Sequence, residues 1–305
     1  MISRASICLL LFLALPVFPA FSRAGLPQEI YKTAGDAKLT IDIDTPDDWK
    51  ASDKRPAIVF FFGGGWKTGK PDAFKAQADY FAKRGLVCFR PDYRVSSRQN
   101  VSPDKCVEDG ISAMRWVRAN AARFGIDPDR IVACGGSAGG HIAACTFFTT
   151  AINAATDDKT VSHLPNAMVL YFAVLNLYER YTVFDQSWPG MSASTAKKIS
   201  PLELMRKGIP PTLVVCGTED SNLRNNKLFV DKARKLGAKV ESFWAEGQPH
   251  AFINRPGWFE KVMARVDAFL VGLGYLAPMS EDAPVVPVKG AKKGGKKGSG
   301  KKEAN

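Results

Sequence analysis

The chain has 305 residues, 46% of them hydrophobic, and a formal net charge of +12. That is enough apolar material to bury a large core as one large α/β domain or two small ones, and no stretch after the first 24 residues approaches about 18 uninterrupted apolar residues, the length of a membrane-spanning helix. The charge does not mark the body of the chain as a nucleic-acid binder, because residues 283–305 carry seven Lys against one Glu and the first 24 residues carry Arg4 and Arg23, leaving +4 on residues 25–282.

The chain opens with the basic run Met1-Ile2-Ser3-Arg4, an apolar stretch over 7–21 and the small-residue site Ser22-Arg23-Ala24. This pattern predicts a secretory signal peptide over 1–24 and a secreted or periplasmic mature protein, with a retained N-terminal anchor as the alternative. Cys8 leaves with the signal, and Cys88, Cys106, Cys134, Cys145 and Cys216 remain, an odd number without metal-ligand spacing. They read as small buried hydrophobes with free thiols, and no metal site is expected. Residues 38–44 alternate polar and apolar, as an edge strand does, whereas 56–62 are continuously apolar, as in a strand buried on both faces. Similar runs follow at 86–90, 130–134, 167–172, 211–216 and 239–245, with helical patterns at 72–84, 104–124, 139–150, 222–236 and 257–273. Such alternation predicts an α/β fold with a mostly parallel central sheet flanked by helices. Asp109, inside the helix at 104–124, reads as a structural partner of the sheet or a loop. The stretch 289–302 has no large apolar residue to offset the entropy of ordering, so a disordered tail is predicted over 283–305. It is either a contact for an anionic surface (cell envelope, acidic polysaccharide or nucleic acid) or a solvated tail without a partner.

The chemistry concentrates where predicted strands end. Gly135-Gly136-Ser137-Ala138-Gly139 follows the strand at 130–134 and precedes a helix, the pattern of a nucleophile elbow. A serine hydroxyl is a poor nucleophile until a base and an oxyanion site converge on it. After the signal there are three candidate bases, His141, His163 and His250. His250 lies in a Gly/Pro loop after the strand at 239–245, where it can swing over the sheet edge. His141 follows Ser137 too closely to face its hydroxyl and reads as a helix N-terminal or pocket-wall residue; His163 reads as a surface residue. The orienting carboxylate is sought in Gly217-Thr218-Glu219-Asp220, where Asp220 is preferred and Glu219 is the alternative. The glycines of Gly63-Gly64-Gly65-Trp66 can turn backbone N–H groups toward a substrate oxygen, and with the N–H of Ala138 those of Gly64 and Gly65 form the candidate oxyanion hole.

With these residues in the order Ser137, Asp220, His250, the chain resembles the α/β-hydrolase superfamily. Within it, the chain is similar to the carboxylesterases like hormone-sensitive lipase and to bacterial feruloyl and acetyl esterases with a Gly-Gly-Gly loop. The likeness runs from about residue 30 to 275 and rests on Gly63 to Trp66, Gly135 to Gly140, Asp127-Pro128-Asp129-Arg130-Ile131, Gly217 to Asp220 and His250-Ala251-Phe252. It implies a single α/β-hydrolase domain over 25–282 and serine-dependent ester hydrolysis without metal or organic cofactor. Phe62 stands where that family commonly has His before the glycines, so packing must steady the loop. The short segments before residue 56 and over 176–200 imply a small or absent cap and an open cleft, which Trp66 and Trp188 would wall for a sugar or aryl group, with ordinary loop packing as the alternative for Trp188. The expected substrate is a small or polysaccharide-borne ester, with acetyl or feruloyl groups on plant or algal glycan suggested by export. Two other readings share the residues: an exopeptidase of the prolyl-peptidase type, disfavoured without a propeller-sized N-terminal domain, and a non-catalytic binding protein, which would not require all three of Ser137, Asp220 and His250.

Overall fold

The computed structural model describes residues 28–184 and 187–279, so the signal expected over 1–24 and the tail over 283–305 lie outside the described residues. The elements, in chain order, are β1 (Glu29–Ala34), β2 (Ala37–Asp44), β3 (Arg55–Phe61), α1 (Lys75–Lys83), β4 (Val87–Pro91), α2 (Ser96–Gln99), α3 (Pro103–Ala119), β5 (Ile126–Gly136), α4 (Ala138–Phe148), β6 (Ala167–Tyr171), α5 (Leu177–Val183), α6 (Ala193–Lys198), β7 (Thr212–Gly217), α7 (Leu223–Lys235), β8 (Val240–Ala245) and α8 (Phe259–Gly272). The eight strands form one sheet in the order β1-β2-β4-β3-β5-β6-β7-β8. From β4 to β8 all neighbours are parallel, whereas β2 runs antiparallel to both β4 and β1.

Why the central strands sit where they do follows from their side chains. Pro56 to Phe61 of β3 and all of β4, β6 and β7 are buried, as strands covered on both faces must be. β2 alternates instead, burying Leu39, Ile41 and Ile43, because it lies toward the edge. α1 and α8 are tied to each other, Arg84 Nη2 donating to Asp267 Oδ1 at 3.2 Å, and α3 packs on α4. The result is the single-domain α/β-hydrolase architecture.

Three departures from the sequence expectations have local causes. β1 is added by a hairpin through Gly35-Asp36, its mixed sequence Glu-Ile-Tyr-Lys-Thr-Ala lacking an apolar run. α3 stops at Ala119, with Trp116 and Phe124 packed on each other across the turn that follows. α5 and α6, short helices between β6 and β7, are opened by Asn176 and Ser192, whose side chains accept from the N–H groups of Glu179 and Thr195. Asp109 is a structural partner, its buried carboxylate paired with Arg94 and Lys32. The five cysteines of the described residues are free and buried. None of the helices among the described residues is long and apolar enough to cross a membrane.

Candidate active site

The topology brings the chemistry to one edge. β3, β5, β6, β7 and β8 are consecutive parallel strands, so their C-terminal ends line up, and Gly63 to Gly65, Ser137, Phe172, Asp220 and His250 follow those ends in that order.

Ser137 joins β5 directly to α4 with φ 56° and ψ −119°. A non-glycine residue held there is strained, and its surroundings fix it: its N–H donates to Tyr171 O at 2.9 Å and its carbonyl accepts from His141 N at 3.0 Å. The end of β3 passes close to the start of α4 at this turn, which is why position 139 is glycine. A Cβ on Gly139 would lie 2.0 Å from Phe61 O and 2.3 Å from Phe62 O, so any side chain would drive β3 away from the elbow.

His250 Nε2 lies 2.9 Å from Ser137 Oγ, and its Nδ1 lies 2.7 Å from Asp220 Oδ2. The Asp220 side chain is fully buried and that of His250 is 41% exposed, so the carboxylate is shielded while the imidazole reaches the cleft. Asp220 Oδ1 accepts from Asn222 N–H at 2.8 Å, which fixes the rotation of the carboxylate. The two loops are stitched together, since Glu219 N–H donates to Gln248 O at 3.0 Å and Gly247 N–H to Thr218 Oγ1 at 2.8 Å. Glu219, the alternative carboxylate, is exposed and does not contact His250.

Gly63, Gly64 and Gly65 line a cavity of about 430 Å³ together with Ser137, His250, Phe74, Phe172 and Ile253. Among the described residues none accepts from the N–H groups of Gly64, Gly65 or Ala138. Ala138 N–H is at the first turn of α4, where the helix dipole adds positive potential. Gly64 has φ +125°, and a Cβ there would lie 2.2 Å from Thr68 O, so the loop's path requires glycine. Phe62 steadies the loop by packing: its ring stacks on Tyr93 with centroids 3.9 Å apart, and Tyr93 Oη donates to Phe62 O at 2.6 Å.

Two expectations are corrected. Trp66 and Trp188 do not wall the cavity; they are 1% and 4% exposed and pack edge to face at 5.4 Å inside the protein. Trp66 turns inward through a left-handed backbone, φ 59°, and its Nε1–H donates to His141 Nδ1 at 3.3 Å. His141 thus takes the helix N-terminal place, in the first turn of α4, rather than a place in the cavity wall, and it is not a base for Ser137. Its Nε2–H donates to Ile199 O at 2.6 Å, so one neutral tautomer links the loop after β3 to the segment after α6. His163 is half-buried rather than on the surface, 2.7 Å from Thr146 O. The residues that do line the cavity beside the glycines, Phe74, Phe172, Ile253 and Asn254, carry no sequence signature; Phe172 is recognisable only through its left-handed φ of 37° at the end of β6.

Burial pulls the His141 pKa down from 6.5 to about 4. The unfolded chain therefore binds a proton there that the folded protein refuses, so stability rises with pH between these values and is lost as pH falls from 6.5 toward 4. Full depression corresponds to about 3 kcal/mol. Chemical denaturation at pH 7 and pH 4.5 measures it: the wild type loses stability on acidification, and His141→Gln shows a smaller loss.

A base-paired serine at the tip of an elbow, a buried carboxylate behind the base and free amides across the cleft are the features of a serine hydrolase on the α/β-hydrolase fold. The BD-FAE family model matches residues 41–229, a span that includes Ser137 and Asp220 and ends before His250. Esterase 2 of Thermogutta terrifontis, in its apo and propionate-bound structures, superposes with a TM-score of 0.79 at 40% identity, over 85% of this chain and 98% of that one; a butyrate-bound structure superposes with 0.78. In sequence the chain is 27% identical over 234 residues to esterase LipC of Mycobacterium tuberculosis, covering 68% of this chain and 56% of LipC. It is 25% identical over 225 residues to isoprenylcysteine alpha-carbonyl methylesterase ICME of Arabidopsis thaliana, 66% of this chain and 52% of that protein. The chain spans about half the length of the curated relatives it matches. It belongs to the BD-FAE family, within the α/β-hydrolase carboxylesterases related to hormone-sensitive lipase.

Proposed function

We propose that the protein is an exported serine esterase that hydrolyses short-chain carboxylic esters, acetyl or feruloyl groups on polysaccharide among them, through an acyl-enzyme. The observation that carries this reading is the His250 imidazole, set between Ser137 Oγ and the buried Asp220 carboxylate at the mouth of the cavity. His250 Nε2 takes the Ser137 proton as Oγ attacks the ester carbonyl, while Asp220 holds Nδ1–H and stabilises the imidazolium. The oxyanion receives N–H donors from Gly64, Gly65 and Ala138, each worth about 3 kcal/mol in comparable sites. His250 returns the proton to the leaving alkoxide, then takes one from water, whose oxygen attacks the acyl-serine and releases the acid.

Export rests on the N-terminal pattern Met1 to Ala24, and the Lys-rich tail offers a contact to an anionic surface. Short acyl groups are favoured by the propionate- and butyrate-bound forms of the similar Thermogutta terrifontis esterase. Hydrolysis of p-nitrophenyl acetate, butyrate and octanoate tests the reading. The expected kcat/KM is highest for acetate or butyrate and falls about tenfold or more at octanoate; a folded protein inert toward all three, or one that prefers octanoate, contradicts it.

A further inference from the structure

The cavity beside Ser137 is lined by residues with few polar side chains. Ser137, His250 and Asn254 carry them, and no Asp, Glu, Lys or Arg is among the lining residues. Ser137 and His250 are committed to bond making and proton transfer. Asn254 is therefore the one remaining side chain there that can distinguish a substrate bearing a polar group from an apolar one of the same size, and without a lining charge that group is neutral.

Asn254 is also aimed. It closes the 3₁₀ turn Phe252–Asn254, a few residues after His250, and Gln77 Nε2 donates to its Oδ1 at 2.7 Å. Gln77 lies on α1 and is 0% exposed, and its Oε1 has no hydrogen-bond partner. In this orientation Asn254 Oδ1 is taken by Gln77 and the unpaired buried atom is the Gln77 carbonyl. The Nδ2 donors of Asn254 are then left for a ligand. A fully buried glutamine with an unpaired carbonyl is a stability liability, and its one hydrogen bond goes to the residue that faces the substrate.

We propose that Asn254 is a specificity-determining residue that donates through Nδ2 to an oxygen of the ester's alcohol portion, with Gln77 as its positioning residue. The alcohol side is indicated because His250, just before that turn, is the group that protonates the leaving alkoxide. The substrate class is a neutral ester whose alcohol carries hydroxyl or ether oxygens beside the ester, as an acetylated sugar does. This inference rests on the esterase reading above.

The test compares kcat/KM for a mono-O-acetylated methyl glycoside with that for cyclohexyl acetate, a ring of similar size without the neighbouring oxygens. Wild type favours the glycoside, and Asn254→Ala lowers the glycoside-to-cyclohexyl ratio by about tenfold, the loss of roughly one hydrogen bond. Gln77→Met lowers the same ratio, mainly through KM for the glycoside, while its melting temperature equals or exceeds that of wild type, because an unsatisfied buried carbonyl is removed. A merely structural Gln77 would move stability and leave the ratio alone. An unchanged ratio in folded Asn254→Ala overturns the inference while the esterase reading stands; a wild type inert toward both acetates and toward p-nitrophenyl acetate overturns both.

Discussion

Ser137→Ala lowers kcat for p-nitrophenyl acetate by on the order of 10⁴ to 10⁶-fold, with little change in KM and an unchanged circular dichroism spectrum. The substitution removes one oxygen atom and leaves the strained backbone at φ 56° held by the same contacts to Tyr171 and His141. What disappears is the acyl-enzyme route, while the cavity and the amides of Gly64, Gly65 and Ala138 still bind and polarise the ester. Residual turnover above background is therefore expected, of the kind an oxyanion site alone supports. Steady-state kinetics of the purified variant check this, and retention of more than about 1% of wild-type kcat, well above that residual, would show that another group carries the nucleophile.

Asp220→Asn is expected to cost about 10⁴-fold in kcat even though it is nearly isosteric. Asn222 N–H donates to Oδ1 of residue 220, so an asparagine there keeps its oxygen toward Asn222 and turns its NH2 toward His250. Nδ1 must then accept, and the ring proton moves to Nε2, which faces Ser137 Oγ and has no lone pair left to take its proton. The geometry survives and the tautomer is wrong. Glu219→Gln provides the control: Glu219 is exposed and does not reach His250, so its kcat stays within about twofold of wild type, a change too small to be a lost hydrogen bond. Equal losses in the two variants would contradict the assignment of Asp220.

The contrast between these acids shows which parts of the molecule are readable in the chain. Ser137 was legible because the elbow needs glycine where a Cβ on residue 139 would lie 2.0 Å from Phe61 O of β3, and that requirement is written in Gly139. His250 was legible through scarcity, and the parallel strands β3 to β8 through their apolar runs. Each of these signals is local. The cavity wall is not local: Phe74, Phe172 and Asn254 follow three different strands and meet only when the sheet aligns them. The two tryptophans mislead for the same reason. A Trp after a glycine triplet looks available to substrate, yet the hydrogen bond from Trp66 to His141 and the ring of Trp188 draw it inward. Nothing in the order of residues 63–66 records that a neutral imidazole waits below them on α4. β1 escaped notice because pairing with β2, more than its own composition, makes it a strand.

The central claim is that Ser137, driven by His250, becomes covalently bonded to the carbonyl carbon of an ester. An organophosphate such as paraoxon, which phosphorylates the similar Thermogutta terrifontis esterase 2, tests this most directly by mimicking that attack at phosphorus. Intact-mass and peptide spectrometry of the treated protein should find one diethylphosphoryl group, on Ser137, formed far more slowly in His250→Ala and absent from Ser137→Ala. A folded wild-type protein that gains no adduct, or one that carries it on a residue other than Ser137, would contradict the account.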